Sequence, residues 1–133
     1  MREHGSETLT NGFRVGVHPR HLPEESLPGR HQYLFRYDIT VTNESERRAR
    51  LISREWWIVD ADGGTEHIAG EGVVGEQPLL LPGQSHRYHS FCTLPSDWGT
   101  MEGRYRMLDE DGEEFDVTVG RFYLVAEREP ASV

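Results

Sequence analysis

The sequence holds one cysteine, Cys92, and no lysine at all. A single thiol closes no intrachain disulfide, so the fold has to be held by its core and needs no oxidising compartment. No apolar run approaches the roughly 18 residues of a membrane span. Residues 1–15 mix charges with polar groups, unlike a secretory leader. The expectation is a cytoplasmic protein without membrane insertion. Helical periodicity is also missing, since no window of about a dozen residues repeats its apolar positions every 3.6 residues. Positive charge is scarce as well, and the formal net charge is −9. An acidic chain repels nucleic-acid phosphates unless a local basic face offsets it. The one candidate face is Arg47, Arg48, Arg50 and Arg54, and aromatic residues do not interleave with it, so no nucleic-acid partner is expected.

What is present suits one domain. A chain of 133 residues with five Phe, five Tyr and three Trp can bury a core unaided. Residues 1–12 are polar and read as a flexible lead-in, 13–126 as the folded domain, and 127–133 as a flexible tail. Phe13, Val15 and Val17 begin a strand that Pro19 is expected to end. Residues 20–32 carry Pro23, Pro28 and Gly29 and read as a long loop. Tyr33, Phe35, Tyr37, Ile39 and Val41 alternate strictly with polar residues, the mark of a half-buried antiparallel strand. Residues 49–59 look apolar on both faces, as a central strand does. Trp56 and Trp57 must point to opposite sides of it, with Trp56 the core candidate. Further strands follow at 65–69, 84–92, 101–108 and 115–125, with Leu79-Leu80-Leu81 and a Pro82-Gly83 turn coming before residue 84. The hairpin signals Asp60-Ala61-Asp62-Gly63 and Asp109-Glu110-Asp111-Gly112 lie between them. Seven to nine short strands with turn signals between them define an all-β antiparallel sandwich.

The chemistry-bearing patterns are weak. Gly70, Gly72 and Gly75 have the GxGxxG spacing of dinucleotide-binding loops. They lead into Glu76-Gln77-Pro78, which starts no helix, and Glu71 and Glu76 would meet a phosphate with like charge. The glycines are therefore read as backbone devices, and no nucleotide or other cofactor is expected. Asp60, Asp62 and Glu71 fit three positions of a calcium loop, but Thr65 stands where that loop needs glycine. His86 and His89 fall on opposite faces of one strand, and His18, His21 and His31 have no acidic or thiol partner at fixed spacing. No metal site is expected. Cys92 has no base on its own face, so no catalytic residue is assigned. Val73 and Val74 are two apolar residues in a polar, glycine-rich stretch. With Glu71, Glu76 and Gln77 around them they form a candidate partner-binding surface, an apolar centre with a polar rim.

Several runs are shared with a known family. They are Tyr33-Leu34-Phe35-Arg36-Tyr37 with Ile39-Thr40-Val41-Thr42-Asn43, Leu51-Ile52-Ser53-Arg54 with Trp56, and the unbroken Gly70-Glu71-Gly72-Val73-Val74-Gly75-Glu76-Gln77-Pro78. Leu81-Pro82-Gly83 and Gly99-Thr100-Met101 belong with them. On these the chain resembles the ApaG domain family over about residues 13–125. The resemblance implies a fibronectin type III-like or immunoglobulin-like sandwich and brings no catalytic residues. Bacterial members are linked to cobalt resistance and magnesium efflux. Eukaryotic relatives occur within F-box proteins and a polymerase-interacting protein, which implies protein binding. The expected function is thus a non-enzymatic module for an unidentified protein partner, with a homodimer left open. The alternative is a factor in divalent-metal homeostasis, acting by weak metal binding or by contact with a transporter.

Overall fold

A computed structural model describes residues 4–127. Nine strands make two antiparallel sheets: β1 Ser6–Thr10, β2 Phe13–His21, β3 Tyr33–Asn43, β4 Ala49–Asp60, β5 Thr65–Glu71, β6 Leu79–Leu80, β7 Ser85–Leu94, β8 Trp98–Asp109 and β9 Glu114–Val125. The first sheet runs β1-β2-β3-β7; the second runs β5-β4-β8-β9, with the short β6 also pairing β4. This is the expected all-β sandwich. Among the described residues no helix is long and apolar enough to cross a membrane.

The lead-in reading of residues 1–12 needs correction, because β1 lies inside it. Its inward residues are hydroxylated, so no apolar alternation announces the strand. Ser6 Oγ donates to Gly120 O and Thr8 Oγ1 to Thr118 O, both at 2.7 Å, sealing β1 against β9. Pro19 does not end β2 either. β1 pairs with β2 only as far as Val17, so on that flank Pro19 withholds an N–H that no strand requires. Its other flank pairs normally, opposite Tyr37. The 20–32 loop shrinks to two 3-10 turns, Pro23–Glu25 and Pro28–Arg30. Of the proposed tail only Glu127 is described; 128–133 lie outside the described residues.

The double apolarity of residues 49–59 also has a different cause from the one expected. β4 carries a bulge between Leu51 and Ser53. One extra residue switches the inward set from Ala49 and Leu51 to Arg54, Trp56 and Ile58. A second register shift in the β8–β9 ladder sets Val119 opposite Gly103 and Phe122 opposite Met101. Val117 and Val119 therefore share the core with Phe122 and Leu124 despite their opposite parity. Trp56 is 3% exposed and meets Tyr37, Tyr105 and Phe122 edge-on with ring centroids 5.9–6.2 Å apart. Trp57 is 39% exposed and stacks on His67.

Polar groups that enter the interior are used unevenly, and the buried Nε2 of His86 has no hydrogen-bond partner among the described residues. Buried Asn43 donates to Arg47 O and Leu80 O and accepts from the Ser45 N–H and hydroxyl. Asp60 and Asp109 each accept two backbone N–H bonds within their own turns. Because Asp60 faces Gly99 on β8 while Asp109 faces Ala49 on β4, the two acidic turns lie at opposite ends of the sheet.

Candidate functional site

The stretch Gly70 to Pro78 carries the chain from β5 to β6 around the bulge of β4. Gly72 N–H and Gln77 Nε2 both donate to Ile52 O, at 2.8 and 2.9 Å, and Leu51 N–H donates to Pro78 O at 3.0 Å. At the tip Val73 and Glu76 exchange N–H···O bonds of 2.8 and 3.1 Å. Between them Val74 has φ +47° and Gly75 φ +79°, the positive pair of a type I′ turn. Val73 is 0% exposed and plugs the sandwich, whereas Val74 is 61% exposed at the tip. Val73, expected from the sequence to be a contact residue, is a core residue instead. The outer surface of the hairpin is formed by Glu71, Val74, Glu76 and Gln77.

Each glycine of the motif answers a local demand. A Cβ on Gly72 (φ +62°) would come within 2.2 Å of Glu76 O, and one on Gly70 within 2.9 Å of Arg54 Nη1. Gly75 has open space and is needed only for its positive φ. The N–H groups of Gly72, Val73 and Glu76 are all spent on protein carbonyls, whereas a phosphate cradle would leave such donors free.

Beneath Gly70 lies a group that the sequence reading passed over. Arg54 points inward in phase with Trp56, and its Nη1 donates to Glu71 O at 3.0 Å and Gly72 O at 3.1 Å. No carboxylate pairs with it among the described residues, and Nε and Nη2 have no acceptor there. The side chain helps line a cleft of about 400 Å³ between β5 and β7, walled by Tyr37, Trp56, Ile68, Phe91 and Cys92, with Glu66 on the β5 side. An arginine in step with Trp56 and Ile58 was the available signal, hidden by the bulge. Burial pushes the Tyr37 hydroxyl up, an effect that its bond to Ser90 reduces. Burial, with Glu66 adding to it, pushes the Cys92 thiol up to about 12; that thiol stays protonated at neutral pH and is no nucleophile. Further along, Glu76 Oε2 lies 3.7 Å from the buried Nε2 of His86 on β7, which has no hydrogen-bond partner among the described residues.

The other candidates disperse. Arg47 bonds Asp109 at 2.9 Å, Arg48 lies 3.5 Å from Glu110, and Arg50 donates to Gln77 O, so the four arginines share no face. His21 is occupied: Nδ1 accepts from the Glu127 N–H at 3.0 Å, and Nε2 sits 3.2 Å from Ser26 Oγ. Among the described residues no group of three or more His, Cys, Asp or Glu could hold a metal ion.

These elements define a class: a small two-sheet sandwich with an apolar hairpin tip and a cation-lined cleft on one open side. The family model of the ApaG domain matches residues 23–109. The chain is 48% identical over 120 residues to Protein ApaG of Anaeromyxobacter dehalogenans (strain 2CP-C), covering 90% of this chain and 94% of that one. It is 46% identical over 110 residues to Protein ApaG of Azotobacter vinelandii, covering 83% and 87% respectively. The crystal structure of the putative ApaA protein from Bordetella pertussis superposes with a TM-score of 0.83 at 39% identity, over 97% of this chain and 100% of that one. The chain belongs to the ApaG family.

Proposed function

We propose that this protein is a non-enzymatic protein-binding module and that the tip of the glycine hairpin is a contact point. One observation carries the reading: Val74, a β-branched residue, is held at φ +47° with 61% of its surface exposed. Side chains of this kind are true outliers in the left-handed region, and such backbone strain costs on the order of 1–3 kcal/mol. Asparagine or glycine would suit the turn better, and the exposed isopropyl group gains little from the fold. An apolar group displayed at that cost, ringed by Glu71, Glu76 and Gln77, has the anatomy of an interface centre. The module is proposed to work in the cytoplasm, where its single buried thiol needs no partner.

The test is capture of the native partner from the protein's own cells. The Val74→Asp, Glu76→Arg double variant is expected to weaken association by at least about 2 kcal/mol, the hot-spot threshold, while staying folded. Undiminished capture by a folded double variant would place the working surface elsewhere. The divalent-metal alternative separates by titration with Co²⁺ or Mg²⁺: saturable NMR shifts centred on a few acidic or histidine side chains would favour it.

A further inference from the structure

We propose that the cleft between β5 and β7 receives an extended peptide segment of a partner protein, paired along Ser90–Thr93 of β7 and holding an acidic side chain on Arg54. This rests on the binding-module reading and names the chemistry of the partner. One side of the sandwich is closed, because β1 bonds to β9 through Ser6 and Thr8, and the Tyr123 N–H donates to His4 O, just before β1, at 2.8 Å. The other side is open: among the described residues β5 and β7 end their sheets and have no strand beyond them. Proteins guard such edges with charges, prolines or bulges. β5 is guarded by Glu66 and Glu71. From Ser90 to Leu94 β7 has no charge, no proline and no register shift against β3. Phe91, 52% exposed, stands on its lip. An unguarded edge beside a cleft of about 400 Å³ suits strand addition, in which main-chain bonds give affinity and side-chain pockets give specificity.

Arg54 supplies the specificity. Its Nη1 is fixed on the Glu71 and Gly72 carbonyls, so the guanidinium is already positioned. Its remaining N–H donors, on Nε and Nη2, have no acceptor among the described residues. A carboxylate meets that fork with two bonds, a pairing that a neutral amide cannot reproduce. The cleft also carries opposite charges at its two ends. Arg54 stands opposite Gly70, while Glu66 stands opposite Ile58, roughly 13 Å further along β4. An acidic residue is therefore accepted at the hairpin end and repelled at the other, which fixes the direction of the segment. The same end adjoins the hairpin, so one partner can touch Val74 and fill the cleft.

The experiment titrates ¹⁵N-labelled protein with short synthetic peptides rich in threonine and valine. One carries a single glutamate, a second has glutamine in its place, and acetate serves as the free carboxylate. The glutamate peptide is expected to shift the Ser90–Thr93 amides and the Arg54 Nε–H. The glutamine peptide should bind at least about tenfold more weakly, as loss of a charged hydrogen bond implies. Arg54→Gln should abolish that discrimination. Because Arg54 also braces the hairpin, Phe91→Glu on the exposed lip serves as a second variant and should weaken the glutamate peptide while leaving the melt unchanged. Equal binding of the two peptides overturns the proposal. So do shifts confined to another face, acetate reproducing the full pattern, or no shift at millimolar peptide. Val74→Asp should leave peptide discrimination intact, so failure of the hairpin reading appears in partner capture and failure of the cleft appears here.

Discussion

The two valines of the hairpin should respond to mutation with opposite signs. Val74→Asn exchanges a β-branched residue at φ +47° for one that tolerates the left-handed region. Relief of that strain is worth roughly 1–2 kcal/mol. Against it stands the burial that Val74 still enjoys. With 61% of the residue exposed, the lost contact amounts to about 0.5 kcal/mol. The net gain is about 0.5–1.5 kcal/mol, equivalent to about 2–6 °C in Tm for a domain of this size. Val73→Ala removes two methyl groups from a site with no exposure and should cost about 2 kcal/mol. Calorimetric melts and urea titrations at neutral pH measure both, with an unchanged urea slope certifying the same native state. A Val74→Asn melt at or below that of the parent would refute the strain. A neutral Val73→Ala would refute the plug.

Trp56→Ala should cost about 3–5 kcal/mol and leave the domain unfolded or nearly so, while Trp57→Ala stays milder; equal losses in urea would show that the two faces are not as described. Stability should also fall in mild acid through His21. Burial, partly offset by Glu127, holds its pKa below the ordinary value, and a protonated ring cannot accept the Glu127 N–H. This contribution is therefore constant above about pH 6.5 and declines as the pH drops from there toward the folded pKa. His21→Ala should flatten that segment of the profile, and an unaltered slope would exclude His21 as its source. Calorimetry with ATP, NAD or a dinucleoside polyphosphate should show nothing tighter than millimolar, because the Gly72, Val73 and Glu76 amides are spent on protein carbonyls and Glu71 and Glu76 repel phosphate; a micromolar constant abolished by a folded Gly72→Asp variant would contradict this.

The sequence disclosed what depends on local alternation and hid what depends on pairing. β3 was legible because Phe35, Tyr37, Ile39 and Val41 alternate with polar residues and are buried in that order. β1 was not, since Ser6 and Thr8 enter the interior as hydroxyl donors to β9 carbonyls. The face of Trp56 was predictable from parity, but the bulge that sets that parity relative to Leu51 was not. In the hairpin the apolar pair and its polar rim were readable, whereas the division into a buried Val73 and an exposed Val74 needed the turn geometry. In the sequence Arg54 reads as part of a basic face. Its place under Gly70 arises only when β5 returns along β4.

The GxGxxG spacing shows why motif and function part company here. Gly70 makes room for a guanidinium, Gly72 for a carbonyl, and Gly75 supplies a turn angle; none is left to serve a ligand. Recognition has to come from groups that the fold does not consume, and local rules are most often broken where a protein serves a function. The outer face of the second sheet breaks none. There Glu55 is bonded to His67 and Arg104, Arg106 to Asp116 and Glu114, and Arg121 to Glu102. The open side breaks three in one neighbourhood: an exposed valine in a left-handed turn, an inward arginine without a carboxylate, and a sheet edge without a guard. Each is unfavourable or idle in the isolated domain. A single extended partner lying from the hairpin into the cleft would cover the valine, neutralise the arginine and pair the edge.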